Sequence, residues 1–115
     1  MSYMLLIVEP RGQRRTRTEA EGRAVYARMV EWGASLKQRG ILIETNSLAE
    51  QATRLEVRNG RKSVVDGPFT EAKEFVGGFY LLNCDSRAAA LELAAECPAA
   101  EWATVEVRET APCYE

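Results

Sequence analysis

The residues most suited to chemistry lie in the segment Asp66–Glu74, which reads Asp-Gly-Pro-Phe-Thr-Glu-Ala-Lys-Glu and is followed by Gly77-Gly-Phe-Tyr-Leu-Leu82. Within nine residues the segment brings together three carboxylates and one lysine, Lys73. A cation between carboxylates can hold a polar substrate or share a proton with it. We therefore take Asp66 and Lys73 as the candidate catalytic residues.

Four other side chains are candidate ligand contacts. Glu71 and Glu74 flank the lysine of the segment, and Tyr80 and Tyr3 can each offer a hydroxyl to a cavity beside a sheet. The two tyrosines are in predicted strands, and the two glutamates are in the loop between two predicted strands. Each has a structural alternative, because a tyrosine is equally at home in a core and a glutamate on a solvated loop.

The charged segment itself also has a purely structural interpretation. The Asp66 carboxylate can accept N–H bonds from the turn that Gly67 and Pro68 form, as aspartates at turns often do. Lys73 can form an ion-pair cluster with the neighbouring glutamates that only fixes the loop. The sequence leaves the functional and the structural interpretation open.

The absence of histidine excludes several mechanisms. With no histidine among the 115 residues, Ser-His-Asp and Cys-His catalysis are impossible, and the usual zinc and iron ligand sets are incomplete. The cysteines Cys84, Cys97 and Cys113 are odd in number and have no CxxC spacing, so we expect reduced thiols. We expect no transition metal and no cofactor.

Length and charge describe an ordinary soluble domain. One domain over residues 1–115 fits a chain that is 46% apolar with a net charge of −2. No apolar run is long enough to span a membrane and no secretory signal opens the chain, so we expect a cytoplasmic protein without membrane contact. Four arginines fall within Arg11–Arg17, but without interleaved aromatics in an acidic protein they do not predict nucleic-acid binding.

Periodicity and turn residues predict eight elements. Thr18 and Glu21 form a capping box, and Gly40 supplies a left-handed stop for the first helix. Asn59-Gly60 is a two-residue hairpin turn. The predicted strands are 3–8, 41–48, 53–58, 61–66, 75–83 and 102–108, and the helices are about 19–39 and 87–97.

The order of these elements indicates the fold. Strand, helix, strand, hairpin, strand, helix, strand is the split βαβ pattern of a ferredoxin-like α+β domain with an inserted β-hairpin. The runs 3–8 and 79–82 are apolar on both faces, yet two helices can cover only one face of the sheet. We therefore expect a homodimer in which a second subunit covers the other face.

The charged segment and its neighbours resemble the YCII-related (YciI-like) family, in its DGPF-domain branch. Matching pieces are Tyr3-Met-Leu-Leu-Ile7, Val57-Arg-Asn-Gly60 and Val105-Glu-Val-Arg108, so the resemblance covers essentially the whole chain. It implies a dimeric α+β barrel, mostly uncharacterised relatives described as possible enzymes, and genomic association with extracytoplasmic-function sigma factors. The His-Asp pair proposed as catalytic in classical members cannot exist here, because this chain has no histidine.

Two functions follow from these observations. The first is a homodimeric small-molecule binder or metal-free enzyme, with carboxylate acid/base chemistry in a sheet-helix cleft lined by Asp66, Tyr80 and the charged loop. The alternative is a non-catalytic interaction or regulatory module whose partner is a transcription regulator. A cavity that contains Asp66 would favour the first, and a filled interior with Asp66 bonded to its own turn the second.

Overall fold

The computed structural model describes residues 1–114. Two short 3-10 turns, Gln13–Thr16 and Pro98–Glu101, join the regular elements. The strands are β1 (Ser2–Pro10), β2 (Leu42–Ser47), β3 (Thr53–Arg58), β4 (Arg61–Asp66), β5 (Glu74–Asn83) and β6 (Thr104–Glu109), and the helices are α1 (Glu19–Gln38) and α2 (Arg87–Glu96).

Four strands form the main antiparallel sheet in the order β2-β5-β1-β6. The two strands predicted to be central, β1 and β5, are the central pair. This order, with one helix after β1 and one after β5, is the ferredoxin-like arrangement, so the predicted α+β class is confirmed.

The predicted start and end of α1 are both present. The Thr18 hydroxyl accepts from the Glu21 N–H, and the Glu21 carboxylate accepts from the Thr18 N–H at 2.8 Å. After the helix, Gly40 has φ +73°, a conformation that side-chain-bearing residues rarely adopt. Local sequence signals therefore determine the position of the helix beside the sheet.

The inserted hairpin stands apart from the main sheet. Asn59 at φ 53° and Gly60 at φ 74° make the tight left-handed turn that their sequence predicts. The strands β3 and β4 pair only with each other, and every residue of both strands is exposed. We call this element, Thr53–Asp66, the hairpin arm.

Both helices pack on one face of the sheet, here called the inner face. Alternate residues of β1 point to it, and among them Leu5 is completely buried with Leu36 of α1 and Leu82 of β5. The opposite, outer face of β1 is only half-buried, at Met4, Leu6 and Val8. No helix within residues 1–114 is long and apolar enough to cross a membrane.

Candidate functional site

A cleft of about 730 Å³ lies between α1 and the inner side of strands β2 and β5. Its α1 wall runs from Gly22 to Lys37, which is roughly 22 Å of helix. Apolar side chains form most of the middle of the cleft, and polar side chains gather at its ends. The lining includes Glu9, Arg14, Arg17, Met29, Lys37, Glu44, Thr45, Gly77, Gly78, Tyr80 and Trp102.

Glu9 is the buried charged residue of the described chain, with 6% of its surface exposed. It continues the inward alternation of β1, which places its carboxylate at one end of the cleft. Arg14 meets it with two hydrogen bonds, Nε to Oε1 at 3.0 Å and Nη2 to Oε2 at 2.7 Å. The bidentate geometry fixes both side chains and satisfies the buried charge.

Gly77 provides the space for this ion pair. It is the extra residue of a β-bulge in β5, since Ile7 pairs with Gly78 and Val8 with Val76. A Cβ at position 77 would lie 1.6 Å from the Glu9 Oε2 atom. The Gly77 carbonyl also accepts from Arg14 Nη2 at 3.2 Å. The bulge and the missing side chain together explain why glycine occupies this position.

Tyr80 connects the sheet to α1 inside the cleft. Its hydroxyl donates to the Met29 carbonyl at 2.8 Å, and its ring meets Trp32 edge to face at a centroid distance of 4.9 Å. Burial, the main cause, raises the pKa of Tyr80 to about 12, so the hydroxyl is neutral at physiological pH. Of the six predicted site residues, Tyr80 is the one that lines this cleft.

Two cations of the cleft lining, Arg17 and Lys37, form no ion pair among residues 1–114. The Arg17 guanidinium lies 5.9 Å from the centre of the Trp102 ring, and Lys37 is on the last turn of α1. Ion pairs elsewhere in this part of the chain do not include either residue. Arg14 is already paired with Glu9, and the other charged residues of the lining are these two cations and Glu44. The lining therefore carries a net positive charge.

Asp66 lies outside the cleft, at the base of the hairpin arm, and it is exposed. Its carboxylate accepts from the Thr53 hydroxyl across the strand pair at 2.7 Å. The turn bond that the structural interpretation expected is not formed with Gly67, because the Gly67 N–H donates to the Ala52 carbonyl at 2.7 Å. Asp66 therefore fits neither of the two arrangements expected of it.

The charged loop is also exposed. Glu71 forms an ion pair with Arg54 at 3.0 Å. A hydrogen bond from its own backbone N–H is the main cause that lowers the Glu71 pKa, and the hydrogen bond from Arg54 is the second. The Lys73 side chain forms no ion pair within the described residues, so the glutamates beside it do not build the expected cluster around it. Glu74 lines a second cavity of about 540 Å³ at the base of the hairpin arm.

Tyr3 is buried on the inner face of β1, six positions before Glu9 and thus roughly 20 Å from it along the strand. It does not line the cleft. Burial is the main cause that raises the Tyr3 pKa. Tyr3 and Tyr80 both belong to the hydrophobic core on the inner face, whereas the charged loop is exposed. A role for the loop residues and Tyr3 in ligand binding stays a prediction.

Glu9 is the cleft residue that the sequence analysis did not identify. Two signals point to it: it has the same parity along β1 as the buried Tyr3, Leu5 and Ile7, and a glycine pair follows in the neighbouring strand. A charged residue in phase with a buried stripe requires a buried partner. The nearby arginine run supplies that partner.

The structure and the chemistry of its cleft define a small α+β domain with a ligand-sized cleft between its first helix and its sheet. Comparison with protein families matches the YCII-related domain over residues 1–113, so the chain belongs to the YCII-related family. No curated protein matches the chain. Within residues 1–114, no group of three or more acidic or cysteine side chains is placed to hold a metal ion.

Proposed function

We propose that this protein is a homodimer that binds a small organic anion with an extended apolar body in the cleft between α1 and the sheet. The observation that carries the proposal is the cleft itself, which combines apolar walls with the fixed Glu9–Arg14 pair at one end. Its volume of about 730 Å³ lies within the range of small-molecule sites.

The charges of the cleft indicate the class of ligand. Arg17 and Lys37 line it without ion pairs in the described chain, and Arg14 is neutralised by Glu9. Glu44 also lines the cleft, so the lining has more cations than carboxylates and a net positive charge. A carboxylate or another anion on the ligand would compensate one of these cations. The apolar stretch along α1 would bury the body of the same molecule.

If the protein transforms its ligand, the carboxylate best placed for proton transfer is Glu9. It is buried, it lines the cleft, and Arg14 holds its orientation. Such chemistry needs neither a metal nor a cofactor. Asp66 and Lys73 stay candidates for a separate role at the second cavity, which the charged loop borders through Glu74.

The homodimer rests on the outer face of the sheet. An apolar stripe runs down its centre and is bordered by polar residues of the two edge strands; its members are Met4, Leu6, Val8, Val76, Phe79 and Leu81. Val76 is 41% exposed in the single chain. Pairing of two such faces would remove this surface from water. The Asp66-Gly-Pro-Phe69 signature supports membership of the DGPF branch of the family. The free cysteines support a cytoplasmic location.

Binding of simple fatty and aromatic acids tests the proposal. Octanoate and 4-phenylbutyrate are expected to bind in calorimetry and to raise the melting temperature, whereas octanamide binds at least tenfold more weakly because it lacks the charge. Arg17→Met should weaken octanoate binding at least tenfold. The matched control is Arg23→Met, since Arg23 is on the exposed side of α1 and pairs with Glu19. Equal affinity for acid and amide in all three proteins would refute the proposed ligand class.

The alternative function is a non-catalytic interaction module with a transcription regulator as its partner. A ligand-sized cleft with a buried ion pair at one end favours the ligand binder, because a domain that acts only through its outer surface has no need of such a cleft. The exposed hairpin arm favours an interaction role. A protein that binds none of the acids above, and whose cleft variants keep full stability, would move the preference to the interaction module.

A further inference from the structure

The hairpin arm is not accounted for by the fold of a single chain. Each of its strands is exposed along its whole length, and it has no strand partner in the main sheet. An isolated two-stranded hairpin is at best marginally stable in water. The radius of gyration of the chain is 16.1 Å, against about 13–14 Å for a compact domain of this length. The arm therefore projects from the body and lacks a stabilising surface.

The two faces of the arm differ in character. The strand register places Leu55, Val57 and Val64 on one face, and they are between 53% and 60% exposed. The other face carries Arg54, Glu56, Arg58, Arg61 and Ser63 together with Val65. A projecting element with one apolar face is typical of a segment that packs against another surface.

The outer face of the main sheet is complementary to the arm. Its apolar stripe is bordered by Glu44 on β2, Glu74 on β5 and Glu106 on β6, while Arg108 on β6 already pairs with Glu106. The arm is basic, with four Lys/Arg side chains against two acidic ones over residues 53–66. Lys62 is on the apolar face itself. Arg54 and Arg58 already pair with Glu71 and Glu56, so Lys62 and Arg61 are the basic residues of the arm without an ion pair in the described chain. The same chain thus offers an apolar element with a net positive charge and an acidic apolar surface.

The sheet face is small beside a standard interface. Four strands at about 4.8 Å spacing and roughly 20–25 Å of length have a flat footprint on the order of 450 Å² per subunit. A stable interface of standard size buries about 800 Å² of accessible surface per partner. A contact through the hairpin arm would add the apolar face of the arm to the area that the sheets bury.

We infer that the hairpin arm of one subunit packs, through Leu55, Val57 and Val64, against the border of the partner's outer sheet face. By two-fold symmetry the second arm makes the same contact in return. The arm then serves as a dimerisation element, with apolar contact supplemented by attraction between Lys62, which is on the contacting face, and the acidic border. This inference rests on the proposed homodimer and adds to it a second contact region.

Two neighbouring valines make a matched test. Val64 is on the apolar face of the arm and Val65 on the opposite face, and their exposures are 53% and 50%. Both positions are exposed, so Val64→Glu and Val65→Glu should fold alike, which circular dichroism would verify. Sedimentation velocity over a concentration series is expected to give a dimer for the wild type, a dissociation constant raised at least tenfold for Val64→Glu, and a change within twofold for Val65→Glu.

The possible failures are distinguishable. A wild-type protein that is monomeric at 100 µM would refute the homodimer and the arm contact together. A wild-type dimer whose dissociation constant responds to neither variant, or equally to both, would refute the arm contact and leave the sheet-to-sheet dimer in place. If the dimer responds to neither variant, the apolar face of the arm would be free to bind a different protein, which is a separate proposal.

Discussion

The Glu9–Arg14 and Glu71–Arg54 pairs join the same two chemical groups in opposite surroundings. Their N···O distances are similar, 2.7 Å and 3.0 Å, but the glutamate side chain is 9% exposed in the first and 67% exposed in the second. Water already solvates the exposed pair, whereas the buried carboxylate depends on its arginine. The comparison teaches that burial, and not the density of charged residues in the sequence, determines where charge can matter.

The largest effect on stability should come from Gly77→Ala, because its methyl group would occupy space that the buried Glu9–Arg14 pair fills. The new methyl group would overlap the Glu9 carboxylate and approach Arg14 Nη2 within 2.8 Å, so the pair must separate or the bulge must move. We expect a loss of about 3 kcal/mol or more in the free energy of unfolding, measured in urea.

The control for that variant is Gly22→Ala on α1. Nothing lies within 4 Å of a Cβ at this position, and alanine is the better helix former. We expect a gain of up to about 1 kcal/mol. If Gly77→Ala were as stable as Gly22→Ala, the bulge glycine would not be what makes room for the ion pair.

Removal of the arginines compares the two pairs directly. Arg14→Met leaves the buried Glu9 carboxylate without its two donors, and we expect a loss of about 2–3 kcal/mol in the free energy of unfolding. Arg54→Met removes an exposed pair and the stacking of the guanidinium on the Phe69 ring, and we expect a loss of no more than about 1 kcal/mol. Equal losses of stability in the two variants would contradict the claim that the buried pair contributes more than the exposed pair.

Tyr80→Phe sharpens the account of the cleft. At pH 7 the variant should lose about 1 kcal/mol, because the hydrogen bond to the Met29 carbonyl is gone. The folded-state pKa of Tyr80, about 12, lies above the ordinary value of 10.0. The unfolded chain therefore ionises first as pH rises, and this contribution to stability is complete below pH 10 and lost between pH 10 and 12.

Urea titrations at pH 9 and pH 11.5 check this prediction. The wild type should lose more stability than Tyr80→Phe over that interval, because the phenylalanine has no hydroxyl to ionise. Parallel losses in both proteins would show that the Tyr80 hydroxyl is not held in its neutral form by the cleft.

The smallest effect is expected for Asp66→Asn. Asparagine keeps an acceptor for the Thr53 hydroxyl, and both side chains are exposed, so stability should change by less than about 0.5 kcal/mol. Octanoate affinity should also be unchanged, because Asp66 does not line the cleft. A loss of octanoate binding with intact stability would instead support the catalytic or binding role that the sequence predicts for Asp66.

The elements of the fold could be predicted because each rests on local signals. The Asn59-Gly60 turn, the Thr18 cap and the Gly40 stop lie where the sequence places them, and most element boundaries agree within two residues. Runs that are apolar on both faces identified β1 and β5 as the central strands. These features depend on neighbouring residues or on a period of two, which a single sequence displays directly.

The site was harder to predict because it depends on contacts between distant residues. The charge of Asp66–Glu74 is visible in the sequence, but the projection of the hairpin arm, which leaves that segment in solvent, is not. Glu9 looks like the polar end of a strand before Pro10 until the bulge at Gly77 brings β5 beside it. Tyr80 was predicted because it stands within a strand known to be central.

The measurement that tests the central claim most directly is nuclear magnetic resonance mapping of backbone amides during titration with octanoate. The account predicts chemical-shift changes concentrated at the cleft, in the amides of Thr45, Gly78 and Tyr80. The amide signals of residues 66–74 should not change; Pro68 has no amide proton and gives no signal. Shifts concentrated in residues 66–74 with a silent cleft would contradict the account and return the binding site to the charged loop.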